Sequence, residues 1–275
     1  MRILSLKNST FLYRRSKNKT LVVILPCYYI ENVQEVKKRF KIKNKYDVIH
    51  ICFNRNFDFG YLIKEIETLI LKISELYNKT IIIGYSKGGI VLNYLNLYSD
   101  KIKKICGATP YKGVWYTPKE AFYNRVKNPI IRKIYSKFID NDFSDTMIGE
   151  NNPIIKKMKI NKNITRNYVI FLSKKEILKS IKNRDIETIA LAIVDKLIGI
   201  KGDGMIPKES QEINENVYIE GSHANGFQKI MKDLEKKDTF KKVSFFWLGW
   251  QDSNLRMSES KSDALPLGYS PIMVW

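Results

Sequence analysis

The chain predicts an α/β fold with a mostly parallel sheet and helices on both of its faces. Three observations carry that expectation. Short β-branched runs alternate with stretches of helical periodicity from about residue 20 to residue 110, and such alternation builds right-handed βαβ units around a parallel sheet. The runs Leu21-Val22-Val23-Ile24-Leu25 and Thr80-Ile81-Ile82-Ile83 are apolar or β-branched throughout, as strands buried on both faces are. The second run passes through a glycine-framed serine, Gly84-Tyr85-Ser86-Lys87-Gly88, straight into a stretch with a buried helical face.

Taken in order, Leu21 to Leu25 ends at the breaker Pro26 and is the first predicted strand. Residues 31–40 read as a helix. Tyr46 to Phe53 reads as the next strand, with Asn54-Arg55-Asn56 as a loop. From Tyr61 to Leu76, the residues Leu62, Ile66, Leu69, Ile70, Ile73 and Leu76 recur at the spacing of one helix face. Thr80 to Ile83 and Gly89 to Leu97 are the strand and helix around the serine. Ile102 to Cys106 is a further strand, closed by Gly107.

From about Lys112 to Asn163 the rhythm is lost. Trp115, Tyr116, Phe122, Tyr123, Tyr135, Phe138 and Phe143 stand there among many lysines. A helical cap inserted over the sheet at 112–163 accounts for them; ordinary surface helices are the alternative. Tyr168 to Leu172 resumes the sheet. Asn216 to Ile219 is the last strand, followed by Gly221-Ser222-His223 and a helix over about 224–236. The main domain is thus expected at 1–242. The tail, 243–275, has no period and little lysine or isoleucine. It resembles the peptide that mistaken translation of a transfer-RNA gene would yield; the alternative is a poorly ordered extension.

Composition narrows the class. A chain of 275 residues that is 44% hydrophobic can build a real core. No apolar run approaches a membrane span. Met1 to Lys7 lacks the apolar centre of a signal peptide. Cys27, Cys52 and Cys106 are an odd, scattered set, which indicates neither a disulfide framework nor a zinc site. A cytoplasmic protein with no metal or other cofactor is expected. The net charge of +20 invites a nucleic-acid reading. However, the excess is mostly lysine, spread along the chain in short groups such as Lys37-Lys38-Arg39 and Lys156-Lys157. Together with abundant isoleucine and asparagine, it suggests an AT-biased genome. Solvated faces are the plain reading, weak attraction to anionic membrane surfaces the functional one, and specific nucleic-acid binding is not expected.

The chemistry starts at Ser86. Strand, tight turn and helix around G-x-S-x-G is the context of a nucleophile elbow, in which the serine backbone is strained and the following helix aims its first N–H groups at negative charge. The alternative is a glycine-rich turn with an incidental serine. A serine hydroxyl needs a base, and the base needs an orienting acid. The chain has two histidines. His50 falls inside a predicted strand and reads as structural, which leaves His223 as the base. Between serine and histidine, Asp203 in Gly202-Asp203-Gly204-Met205-Ile206-Pro207 is the favoured acid, over Asp185, Glu187 and Asp195 in a helical-looking stretch. An oxyanion would need two backbone N–H donors. Lys87 and a residue near Cys27 or Tyr28, after the first predicted strand, are placed to supply them.

Together these segments resemble α/β-hydrolases of the lipase and esterase kind. The resemblance covers roughly residues 20 to 237. The order Ser86, Asp203, His223 is that family's serine–acid–histidine order. Gly202 to Pro207 resembles its G-D-G-x-[VI]-P stretch, and Thr109-Pro110-Tyr111-Lys112-Gly113 its T-P-x-x-G loop. At Pro26-Cys27-Tyr28 the chain departs from the family's usual His-Gly. The resemblance implies a serine hydrolase acting on carboxylic esters of small molecules or lipids, with Lys87 and Tyr28 as oxyanion donors. An acyltransferase or thioesterase using the same residues, or a ligand-binding protein on the same fold, are the alternatives.

Overall fold

Isoleucine, valine and leucine runs form the centre of an eight-stranded sheet. The computed structural model describes residues 2–16, 19–26, 40, 42, 46–54, 57–115, 123–124, 126–129, 132–133, 148–199 and 201–236. These belong to a unit running from Met1 to Phe240; a second unit, Lys241–Trp275, lies outside the described residues. So do most of the helix expected over 31–40, Cys27 and Tyr28, and much of the 112–163 segment.

The elements follow in chain order. Strands β1 (Arg2–Ser5), β2 (Ser9–Arg14), β3 (Thr20–Leu25) and β4 (Asp47–Phe53) precede helix α1 (Phe59–Ser74). Next come β5 (Lys79–Tyr85), α2 (Lys87–Tyr94), β6 (Ile102–Gly107) and the short α3 (Pro153–Lys156). The chain continues through β7 (Ile164–Phe171), α4 (Lys174–Lys182), α5 (Ile186–Ile198), α6 (Lys208–Gln211), β8 (Val217–Glu220) and α7 (His223–Lys236). The spatial order is β1-β2-β4-β3-β5-β6-β7-β8. Strand β2 runs antiparallel to β1 and β4, and every other pairing is parallel.

Strands β1 and β2 are absent from the sequence expectation, and the reason is physical. Phe11 and Leu12 are adjacent and both buried, on opposite faces of the sheet, while Ile3 and Leu4 are both exposed. Neither segment alternates apolar with polar residues, the signal by which a short strand is read.

The sheet is covered on both faces. Leu21, Val23 and Leu25 pack with Leu62, Ile66 and Ile70 of α1 and Ile90 of α2. Val22 and Ile24, one residue out of phase, pack with Phe227, Ile230, Met231 and Leu234 of α7. Each fully buried aliphatic side chain contributes roughly 1.5–3 kcal/mol. Surface ion pairs contribute about 0–1 kcal/mol, so these two layers fix the positions of α2 and α7. Both helices begin at the carboxyl ends of parallel strands, where α/β sheets hold their ligands. Among the described residues, no helix is long and apolar enough to cross a membrane.

Candidate active site

Strand β5 ends at Tyr85, and Ser86 makes the turn into α2. Its backbone is at φ 55°, ψ −122°, a conformation costly for any residue with a Cβ. The framing glycines are required by space. A Cβ on Gly84 would stand 2.6 Å from the Gly88 carbonyl oxygen, and one on Gly88 would stand 1.9 Å from the Leu25 oxygen at the end of β3. The turn is pinned by Ser86 N donating to Gly107 O at 2.8 Å and by Gly89 N donating to Ser86 O at 2.9 Å. Lys87 is the first helical residue of α2. Its side chain is buried, with Nζ 5.0 Å from the Phe57 ring and 6.0 Å from that of Phe53.

The Asp203 loop closes on itself. Gly202 and Pro207 form a bridge, and Asp203 Oδ1 accepts from the N–H groups of Met205 at 2.9 Å and Ile206 at 2.7 Å. Leu172 N donates to Gly202 O at 2.7 Å, which moors the loop at the end of β7. The other oxygen, Oδ2, lies 2.7 Å from His223 Nδ1. Both side chains are buried, Asp203 completely. His223 N also donates to Asp203 O at 2.8 Å, so main chain and side chain converge on one residue. A carboxylate can only accept, so the tautomer that satisfies this contact is the one with its proton on Nδ1 and its lone pair on Nε2.

His223 is the first residue of α7, after β8. It meets the elbow through Tyr85: the tyrosine hydroxyl donates to His223 O at 2.7 Å, and the two rings lie 5.2 Å apart. The structure therefore joins Asp203 to His223 directly and places His223 beside the residue preceding Ser86. Among the described residues, Ser86 is bonded through its main chain, and no hydrogen bond joins its Oγ to His223.

The remaining sequence candidates have other partners. His50 lies buried in β4, its Nε2 3.2 Å from Phe40 O. Asp185 caps α5 through Thr188 N. Asp195 accepts from Gly202 N at 2.9 Å, next to Asp203. Burial pushes the Cys106 thiol up to about 11, so it stays protonated and unreactive. Among the described residues, no group of three histidine, cysteine or acidic side chains converges as a metal site.

Comparison of the sequence with family profiles and with curated proteins gives no match. Solved structures do resemble it. Mature lipase BlEst2 of Bacillus licheniformis aligns over 83% of this chain and 96% of its own at 12% identity and a TM-score of 0.47. The α/β-hydrolase MGS-MChE2, from a lagoon-sediment metagenome, aligns over 88% and 99% at 11% identity and a TM-score of 0.44. The capsule O-acetyltransferase of Neisseria meningitidis serogroup A aligns over 86% and 92% at 16% identity and a TM-score of 0.43. In this chain, a mostly parallel sheet carries a strained serine between framing glycines at the carboxyl end of β5. The fold is that of an α/β-hydrolase.

Two residues of this α/β-hydrolase fold escaped sequence reading. Tyr85, the unspecified residue of the G-x-S-x-G motif, bridges elbow and imidazole. Gln211, fully buried on α6, accepts from Ile170 N at 2.8 Å and donates to Ile170 O and Ile206 O, both at 3.0 Å. It holds the acid loop against β7. A glutamine in a polar stretch carries no such signal. The T-P-x-x-G loop joins the same assembly, because Ser210 Oγ donates to Gly113 O at 2.6 Å.

Proposed function

We propose that the chain is a serine hydrolase that cleaves carboxylic esters, lipid-like ones included, through an acyl-enzyme on Ser86. The observation that supports it most is the buried Asp203–His223 pair, held on the helix that Tyr85 ties to a strained serine elbow. In this reading Ser86 Oγ attacks the acyl carbon while His223 Nε2 takes its proton. The charged imidazole, stabilised by Asp203, then protonates the leaving alkoxide as the ester C–O bond breaks. Lys87 N–H is one oxyanion donor; Tyr28 N–H, outside the described residues, is the other. Water, deprotonated by His223, attacks the acyl-enzyme and releases the acid. Residues 1–242 are the catalytic domain of a cytoplasmic enzyme, 112–163 its cap, and 243–275 an atypical tail.

Labelling with a fluorophosphonate tests the nucleophile. The wild-type chain should be labelled at Ser86, and Ser86→Ala should abolish the label; label retained on the variant rejects the assignment. A chain-length series of nitrophenyl esters, with and without an added alcohol, then separates the outcomes. Free acid alone supports hydrolysis, transfer to the alcohol assigns an acyltransferase, and tight binding without turnover assigns a ligand-binding protein.

A further inference from the structure

The excess positive charge is not only a diffuse property of the chain; part of it is displayed on one rigid loop. Residues 157–163 connect α3 to β7. Lys157, Lys159 and Lys162 are exposed there, together with Lys156 at the end of α3. Ile160, at the crest between them, is 42% exposed, and Tyr98, across a groove of about 500 Å³, is 69% exposed. None of the four lysines is ion-paired among the described residues. The nearby carboxylate Glu67 is bonded to Asn96 N; Asp100, exposed two residues after Tyr98, is followed directly by Lys101.

The loop is pre-organised by asparagines. Asn93, buried on α2, donates through Nδ2 to Lys159 O at 2.9 Å and accepts from Asn161 N at 2.9 Å. Asn161 Nδ2 donates back to Asn93 O at 3.1 Å and Leu95 O at 3.2 Å, while its Oδ1 accepts from Asn163 N at 2.9 Å. Tyr94 OH donates to Ile154 O, fastening α3 from below. With the main chain fixed inward, the lysine and isoleucine side chains are left to point out.

We propose that this face docks the protein on an anionic lipid bilayer. Charge complementarity supplies the attraction, because lysines near an anionic leaflet each strengthen binding severalfold. The aliphatic crest argues for a bilayer over a nucleic acid. Ile160 has no π face on which a base could stack, whereas an exposed aliphatic side chain flanked by lysines suits the headgroup boundary, with Tyr98 at the interface. The face lies at the amino ends of β6 and β7, and Ser86 lies at the carboxyl end of β5. The α2 helix between them, eight residues long, spans about 12 Å. Docking therefore leaves the carboxyl end of β5, where Ser86 sits, on the side away from the bilayer.

The test uses the purified full chain and sedimentation with vesicles of phosphatidylcholine, either alone or with phosphatidylglycerol. Binding should require phosphatidylglycerol. The triple variant Lys157→Gln/Lys159→Gln/Lys162→Gln should weaken it on the order of a hundredfold. Ile160→Ser, which keeps every charge, should weaken it roughly three- to tenfold. A control triple variant on α4, Lys174→Gln/Lys175→Gln/Lys182→Gln, removes the same charge and should leave binding within about twofold, being screened from the docked face. Circular dichroism verifies that each variant is folded. Equal losses in both triple variants, no binding by the wild type, or loss of single-stranded RNA binding with vesicle binding intact would each overturn the proposal.

Discussion

The Tyr85 hydroxyl reaches across 2.7 Å to the main-chain carbonyl of His223, a residue 138 positions further along the chain. One hydrogen bond thus couples the strand end that carries Ser86 to the first turn of the helix that carries the imidazole. The tyrosine is almost fully buried, and its ring edge is closed by Phe227 at 5.9 Å and Phe40 at 6.3 Å. The distance between elbow and imidazole is therefore set by packing on the α7 face of the sheet.

Tyr85→Phe should keep that packing and lose only the donor. Stability should fall by about 1 kcal/mol in urea denaturation. If Ser86 and His223 act together, kcat on a short nitrophenyl ester should fall about tenfold with KM little changed, because small misplacements of a reacting group act on the chemical step. A change in stability with kcat untouched would make the contact structural only.

Two glycines should separate steric need from conformational need. Gly88→Ala drives a methyl group into Leu25 O, with no side chain that can yield. A loss above about 3 kcal/mol, or failure to fold, is expected. Gly199 is at φ 67° with nothing within 4 Å of an added Cβ. Gly199→Ala should cost only about 1 kcal/mol, the left-handed penalty alone. Thermal unfolding of the two variants side by side checks the contrast.

What was legible in the sequence was what is local. The elbow is readable because its glycines, serine, strand and helix are contiguous, and β3 and β5 are readable because both faces are buried and their central runs, Leu21–Leu25 and Ile81–Ile83, are continuously apolar. Strands β1 and β2 were not, since adjacent Phe11 and Leu12 bury on opposite faces. Chain order put Asp203 and His223 on the page as candidates. Their meeting at 2.7 Å depends on parallel β7 and β8 and on the mooring of Gly202 to Leu172, which no local pattern encodes. Tyr85 and Gln211 act through partners far away in sequence and left no trace in it.

Asp195 should make the acid loop sensitive to pH. Burial pushes its carboxyl above the ordinary range, nearby Asp203 adds to the push, and the Gly202 N–H pulls the other way. A carboxyl whose folded pKa is raised supports the fold fully below its unfolded value and loses that support as pH rises through the folded value. Asp195→Asn keeps an oxygen for Gly202 N but cannot ionise. Urea denaturation from pH 4 to pH 7 should show the variant gaining on the wild type as pH rises. A difference that is constant across this window would sink the idea.

Asp203→Asn is the most discriminating substitution, because the loop dictates how the amide must sit. The Oδ1 position accepts two main-chain N–H groups, so the asparagine oxygen has to take that place. Its NH₂ group then faces His223 Nδ1, where the carboxylate oxygen stood. An NH₂ group donates, so Nδ1 must accept, and the ring proton moves to Nε2. An imidazole protonated at Nε2 cannot take the serine proton. If the proposed relay operates, kcat should drop by about 10³–10⁴-fold, and labelling of Ser86 by a fluorophosphonate should slow in parallel. The fold should survive, since both loop N–H groups keep an acceptor. Nitrogen NMR of the histidine ring should show the proton exchanged between the two nitrogens. Full turnover by a folded variant with the altered tautomer would mean that His223 is not the base.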